Sequence, residues 1–551
     1  MIIVNTMQKK LFICLWICIS LPFTLSAQEA LKSVEEEYYD FLSLQGLAER
    51  PALNYRTLSD SVWAVDETAE HPWKGINLGT FHSLSGDFRL RAYGPELFMS
   101  GNTAAPYGQN DGVLWQGRGF NALFKGGARL EGYGVELTLL PHLAFSQNAD
   151  FEIMPSAYEN EYGYIWGYAY NIGVDAPQRF GNKPFFDWDF GDSEIRYTWK
   201  TFTVGFGTQA IWLGPSQINS IIHSNNAPAY PKIDIGLRRQ QITLPWINWY
   251  MGDIELRLWI GQLQESYFFD SDNNNNLSLI TGLSFAFAPS FLPGFSIYFN
   301  RTYRSNWERK SALTLLEVWH AFRSAGGDDI WDQHLTAGFN YLLPTVGFNL
   351  YAEIGYNDTP ANNIHNFIKN FSHTIAFTAG IKKGMSISSA KNIHAELLFE
   401  YTHLEMSPFY SQTHWSNTFY MHHEIIHGYT NRGQWLGAGI GTGGNSQYLG
   451  FKVYYTKGFF NIFFYRYNPD NDFLMRETTP IQGYPPEKII GNVTVYPSEK
   501  AIFTVGLESN YFITKNISLL GEIAFCEILN YAYGYDNLHN MRLAIGVKVF
   551  F

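Results

Sequence analysis

Cysteine is nearly absent: there are three in 551 residues, and two of them, Cys14 and Cys18, fall within the first 27. Cys526 stands alone, which excludes a disulfide framework, a C-x-x-C redox pair and a thiolate zinc site. Charge is scarce as well, at 16% of residues, against roughly 25% in an ordinary soluble domain. The 38 Lys and Arg are outnumbered by 50 Asp and Glu, for a net charge of −12. No basic cluster stands out, which argues against nucleic acid as a partner, because that affinity comes from grouped Lys and Arg. Beyond residue 27 there is no uninterrupted apolar run of 18 residues, and mean hydropathy is −0.16. A bundle of transmembrane helices is therefore excluded. Intrinsic disorder is excluded by a hydrophobic content of 46%.

Aromatic residues are abundant, at 17%. An aromatic-rich, weakly charged chain whose apolarity is never continuous suits a membrane β-barrel, whose strands hide their apolarity in alternation. The N-terminus reads as an export signal: Lys9 and Lys10, an apolar core over 11–21, and a small residue at Ala27. The expected organisation is a signal over 1–27, a periplasmic helical segment over 28–81 and the barrel over 82–551. A helix is predicted over 29–48, with Leu31, Val34, Tyr38, Phe41, Leu42 and Leu47 on related faces and Pro51 beyond its end.

From about residue 82 the period becomes two. In 346–356, Phe348, Leu350, Ala352 and Ile354 oppose Asn349, Tyr351 and Glu353; in 393–401, Phe399 opposes Glu400. At the end, Met541, Leu543, Ile545, Val547, Val549 and Phe551 oppose Arg542, Ala544, Gly546, Lys548 and Phe550. Each segment is about ten residues, the length of a tilted strand crossing a bilayer, with one face for lipid and one for a polar bore. Short turns are predicted near Gly132, Lys200, Gly252, Pro293, Pro344, Gly384, Gly458 and Lys515, alternating with nine long polar stretches that include 213–237 and 404–446. The expected fold is all-β, a transmembrane antiparallel β-barrel of about 18 strands. Both termini are expected in the periplasm, with outer-membrane lipid and the barrel insertion machinery as partners. The terminal Phe551 fits the signal that such barrels present for insertion.

One motif bears on catalysis. His423-Glu424-Ile425-Ile426-His427 spells H-E-x-x-H, which on a helix holds zinc between two histidines. Two β-branched residues and Gly428 make a helix unfavourable here, and no third ligand stands at position 433. No G-x-S-x-G elbow accompanies the serines. The expectation is no enzyme, no metal and no cofactor, with His422, His423 and His427 open to adventitious metal only.

Three stretches resemble a known family. They are Gly108-Gln109-Asn110-Asp111-Gly112-Val113-Leu114-Trp115-Gln116-Gly117-Arg118-Gly119, Trp212-Leu213-Gly214-Pro215-Ser216-Gln217-Ile218-Asn219-Ser220 continuing to Asn225-Asn226-Ala227-Pro228, and Gly428-Tyr429-Thr430-Asn431-Arg432-Gly433-Gln434-Trp435-Leu436-Gly437. Together they resemble the capsule assembly Wzi family in its Bacteroidetes form. The family's W-G-P pattern is altered to Trp212-Leu213-Gly214-Pro215. The resemblance implies an 18-stranded outer-membrane barrel with a lectin-like role in holding capsular polysaccharide or exopolysaccharide. Rings that stack on sugars and amides that bind hydroxyls make Trp212, Asn219, Asn225, Asn226, Tyr429 and Gln434 the candidate ligand-binding residues. The competing reading is a porin for small solutes or oligosaccharides. Against it, Trp259, Tyr351, Leu398 and Phe550 are expected to point inward and fill the bore.

Overall fold

The computed structural model describes residues 26–29, 31–66, 68–154, 156, 160–165, 174–307, 331–357, 375–405, 419–422, 425–472, 488–490, 493–495, 499–532 and 536–551. The expected signal, 1–27, lies outside them apart from Ser26 and Ala27, as do His423 and Glu424. The described residues form a closed antiparallel barrel of 18 staves. The first six are β1 (Arg89–Asn102), β2 (Gly119–Gly132), β3 (Val135–Leu139 with His142–Ser146), β4 (Phe185–Asp189 with Glu194–Trp199), β5 (Phe202–Gly207) and β6 (Lys232–Leu244). Next come β7 (Trp249–Gln264), β8 (Leu277–Pro289), β9 (Phe295–Asn306), β10 (Asp332–Leu343), β11 (Phe348–Asn357) and β12 (Ile375–Ser388). The last are β13 (Ile393–His403), β14 (Asn445–Tyr455), β15 (Gly458–Asn468), β16 (Ala501–Thr514), β17 (Ile517–Leu529) and β18 (Leu538–Val549). Closure is made by β18 on β1, in a register running from Arg542↔Asn102 to Lys548↔Glu96. A closed ladder satisfies every stave along its length and leaves no free edge, which a bilayer requires.

The alternation read from sequence is the inside–outside alternation of the wall. On β18, Met541, Leu543 and Ile545 are exposed while Arg542 and Ala544 are buried. Beyond it, Phe551 is exposed and Phe550 is buried against Phe512, as the register required. The connections alternate between short turns and long loops, with two turns displaced from their expected places. Gly252 lies inside β7, where the ladder to β6 slips between Ile242 and Thr243, so this glycine marks a bulge. The turn itself occupies 245–248 and ends on Asn248 at φ 46°. Gly384 lies inside β12, where a Cβ would sit 3.5 Å from Leu44, and the turn falls at 389–391 with Asn392 at φ 52°.

The wall is irregular along one row. The β1–β2 ladder slips between Tyr93 and Glu96; β3 is interrupted at Leu140 and Pro141; β4 is interrupted over 190–193. Side chains take up the freed backbone groups: Ser193 Oγ accepts the Leu140 N–H at 2.8 Å, and Asp189 accepts that of Gly191 at 2.9 Å.

The N-terminal segment enters the bore at the short-turn end. Helix α1 (Val34–Leu44) is capped by Ser33, whose Oγ accepts the Glu36 N–H, with Glu35, Glu36 and Glu37 in the first turn, where the helix dipole favours acids. It is shorter than the predicted 29–48. Gly46 at φ 72° ends the turn that follows Gln45, and Ala48–Glu49 pairs with Val62–Val65. The helix is buried on its polar side too. Phe41 stacks on Tyr454 at 4.4 Å between ring centres, and Trp73 stacks on Tyr38 at 3.9 Å. Lys382 reaches Asp40 at 2.7 Å, Lys548 reaches Glu35 at 2.9 Å, and Lys452 pairs with Glu37. Burial opposes the charge on Asp40, but Arg50 and Lys382 outweigh it and hold the carboxyl below its usual range.

Candidate functional site

Above the helix, residues 53–60 continue up the bore. Glu255 of β7 accepts the N–H of Leu53 at 2.8 Å and of Asn54 at 3.1 Å. Asp60 is held by Arg238 at 2.6 Å and Arg257 at 2.9 Å. Arg257 and Arg196 converge on Asp234, each at 2.6 Å, and Arg196 also meets Glu194 at 3.0 Å. These charges are buried and matched, so they brace the bore instead of lining an open pore.

The stretch 213–237 was expected as an outer loop; the loop observed is 208–231, with 232–237 already in β6, and it folds down into the bore to meet this segment. Trp212 and Leu213 pair with Arg56 and Tyr55 as a two-stranded ladder. The Lys32 ammonium lies 3.7 Å from the centre of the Trp212 ring and donates to the Gln217 carbonyl at 2.7 Å. Glu400 of β13 accepts the N–H groups of Gln217, Ile218 and Asn219 at 2.6, 3.1 and 2.8 Å. Trp212, fully buried with its Nε1 donating to the Ser216 carbonyl, therefore lies deep in the bore. Asn219 is also buried, its Nδ2 donating to Ser446 Oγ at 3.1 Å.

The other four candidate residues are brought together in a knot at the long-loop end, where the three family motifs meet. Asn226 Oδ1 accepts the Asn110 N–H at 3.0 Å, and its Nδ2 donates to the Trp435 carbonyl at 3.0 Å. The Gly112 N–H reaches the Asn225 carbonyl at 2.9 Å, and Gln434 Nε2 donates to the Gly112 carbonyl at 3.0 Å. Tyr429 is fully buried, stacked on Tyr420 at 5.5 Å and 11°, with its hydroxyl 2.9 Å from that of Thr302. Only Asn225 and Gln434 are partly exposed among the six. The first motif supplied no candidate side chain, yet Asn110 joins the knot twice, its Nδ2 donating to the Ile218 carbonyl at 2.9 Å. Asp111 beside it is pushed up to about 6 by burial, against the pull of Arg542, and accepts from Gln116 at 2.6 Å. The amide-rich run Gln109-Asn110-Asp111 was the available signal for these residues; Glu400 carried only its place on the polar face of a strand.

The H-E-x-x-H stretch is only partly described. Ile425–His427 lie in a bend and turn, and His422 Nδ1 accepts the Ile425 N–H at 3.2 Å. His427 sits 2.9 Å from Glu265 of another loop. Among the described residues no group of three His, Cys, Asp or Glu is placed to hold a metal. Burial drives His427 down to about 4, and burial with Asp270 nearby drives Glu265 up to about 8, so at neutral pH the contact joins two uncharged groups. The lowered histidine contributes stability that is present above 6.5 and lost as pH falls through 4. The raised glutamate contributes stability that is present below 4.5 and lost as pH rises through 8. Asp175, which accepts from Ser266 beside Glu265, is likewise raised to about 6 by burial, so two raised carboxyls oppose one lowered histidine and docking of these loops should loosen as pH rises from 4.5 to 8. Limited proteolysis of the loops should be faster at pH 9 than at pH 5; a rate that tracks only the protease's own pH profile would refute this.

A family model described as capsule assembly protein Wzi matches residues 151–533. The chain belongs to that family. The solved Wzi of Escherichia coli, described as an outer membrane protein involved in group 1 capsule assembly and a carbohydrate-binding β-barrel, shares the fold at a TM-score of 0.60 and 12% identity. The match covers 96% of this chain and 99% of that one. Pseudomonas putida OprB, at 9% identity, covers 84% of this chain and 94% of its own at a TM-score of 0.36. Pseudomonas aeruginosa OccK8, at 10% identity, covers 84% and 98% at 0.37. No curated protein matches the sequence. The region matched by the Wzi model includes the second and third motifs and the staves between them, while the first motif and β1 to β3 precede it.

Proposed function

We propose that the protein is a non-enzymatic, lectin-like barrel of the outer membrane that attaches capsular polysaccharide or exopolysaccharide to the cell surface. In this reading 28–81 is a periplasmic segment inserted in the bore of an 82–551 barrel, both termini face the periplasm, and the long loops face outward. Lipid contacts the exposed apolar belt, and the insertion machinery reads the last strand. The observation that carries the reading is the knot: three amide- and ring-rich motifs, far apart in sequence, converge at the long-loop end of a Wzi-family barrel. The knot residues Asn226 and Tyr429 would act by holding the loop surface in shape, and Gln434 and Asn225 are the members a ligand could reach.

The test separates surface assembly from retention. Asn226→Ala leaves the Asn110 N–H and the Trp435 carbonyl unpaired, a cost of about 1–3 kcal/mol confined to the knot. Cell-bound polysaccharide should fall several-fold in Asn226→Ala and Gln434→Ala, while the amount of folded barrel at the surface stays unchanged. Undiminished retention in both variants would remove the knot from the binding site.

A further inference from the structure

The hairpin of β6 and β7 overhangs its neighbours at the short-turn end. The ladder from β5 onto β6 ends at Phe202↔Leu237, and that from β8 onto β7 ends at Pro289↔Gly252, yet β6 and β7 stay paired as far as Leu244↔Trp249. Beyond the bulge at Arg238 and Arg239, the stretch Gln240–Leu244 has β7 on one side and no strand on the other. This free edge is about 15 Å long on the usual rise of a strand. Apart from the ladder to β7, one further backbone contact is made over Gln241–Leu244 among the described residues, from the Gln240 amide to the Gln241 carbonyl at 2.8 Å.

The edge lacks the usual guards. Natural edges are blunted by charge, proline or a covering element. Gln241-Ile242-Thr243-Leu244 carries neither charge nor proline, and Pro245 comes only in the turn. Residues 243–250 are exposed throughout, with Trp246 at 97% and Ile247 at 68%, and Phe291 on the adjoining turn is exposed as well. Contiguous apolar surface around an open strand edge marks a place that a partner covers.

The geometry narrows the occupant to one class. Lipid does not fit, because hydrocarbon does not tolerate unpaired backbone N–H and C=O groups. A second copy does not fit either. Two barrels upright in one membrane present their β6 edges in parallel, the weaker pairing, and a two-fold contact sets Lys200 against Lys200. Lys200 stands at the upper end of the edge, where the carbonyl of the adjacent Thr201 accepts the Arg238 N–H at 2.8 Å and the Thr201 hydroxyl donates to the Gln240 side chain. The Lys200 ammonium is exposed, lies 5.0 Å from the centre of the Trp199 ring and pairs with no acid among the described residues.

We propose that this edge docks an extended segment of a partner protein, added antiparallel to β6 with a carboxylate at its C-terminal end beside Lys200. The segment's backbone meets that of Gln240–Leu244, and its apolar side chains cover Leu244 and Trp249, which are direct partners across the hairpin. Because β6 runs toward the turn, an antiparallel segment ends at Gln240, which brings its C-terminal acid to Lys200. Placing the partner in the periplasm rests on the orientation proposed above; the pairing itself does not.

The experiment uses the full chain in detergent and the amidated synthetic peptide Ser-Thr-Val-Thr-Val-Thr-Asp, read by fluorescence anisotropy and amide hydrogen exchange. The peptide should bind and slow exchange over 240–244 by about tenfold, leaving the rest of the wall unchanged. The same peptide N-methylated at alternate residues should not bind. Lys200→Glu should weaken the Asp-ended peptide several-fold and strengthen the same peptide ended in Lys. Each variant is checked for the compact electrophoretic form of a closed barrel. Lys200→Gln, which should weaken binding without reversing the preference, replaces a variant that fails to assemble. No binding of the Asp-ended peptide, equal binding of its N-methylated form, or binding without protection of 240–244 overturns strand addition. Protection of 240–244 before any peptide is added also overturns it, since detergent or a second copy then already covers the edge. None of these outcomes depends on polysaccharide retention.

Discussion

Replacing Asp234 with alanine should lower the unfolding free energy of the barrel by about 3–5 kcal/mol, the cost of stranding buried charges. This carboxylate is fully buried and bonds Arg196 through both oxygens, at 2.6 and 2.9 Å, while Arg257 reaches it at 2.6 Å. Its loss leaves two guanidinium groups with less than their matching charge in a space that water does not readily enter. Asp234→Asn keeps the shape and some hydrogen bonds, so it should cost less. The readout is the temperature or urea concentration at which the compact electrophoretic form is lost. A shift no larger than that of a surface Asp→Ala would mean that the network contributes nothing.

The second large effect concerns permeability. The full chain should show little or no conductance in planar bilayers, because α1, residues 53–60 and the Trp212–Asn219 loop occupy the bore in succession. Deleting 31–79 removes the lower two layers and strips Trp212 of its Arg56 ladder and its Lys32 contact. Stable open events of porin-like size should then appear in whatever fraction of the deleted chain still assembles. A full chain that already conducts steadily would restore the porin alternative.

Much of the wall was legible in the sequence because lipid and bore impose opposite demands on alternate residues. The register of β18 shows this best, where Phe551 and Phe550 fell on the sides that alternation assigned them. The displaced turns failed for a physical reason. Gly252 is a glycine demanded by a bulge, and Gly384 is a strand glycine in ordinary contact distance of Leu44; in sequence such glycines look like turn residues. The helix was visible but not its setting, because the lysine partners of Glu35, Glu37 and Asp40 lie hundreds of positions away. The site was legible at the level of motifs and illegible at the level of depth. A polar, aromatic loop looks the same whether it faces water or turns inward, and only partners such as Glu400, Asn54 and Arg56 reveal that 208–231 turns inward.

The short ladder between Tyr55–Arg56 and Trp212–Leu213 carries one more consequence. It joins the segment entering from one mouth of the barrel to the loop descending from the other, so the two ends share a single thermodynamic cycle. Any ligand that favours one arrangement of the descending loop must alter, by the same factor, how firmly the entering segment is seated, and a partner that grips the entering segment must alter ligand affinity at the far mouth equally. Reciprocity of this kind needs no moving gate and no open passage, only the ladder at mid-bore.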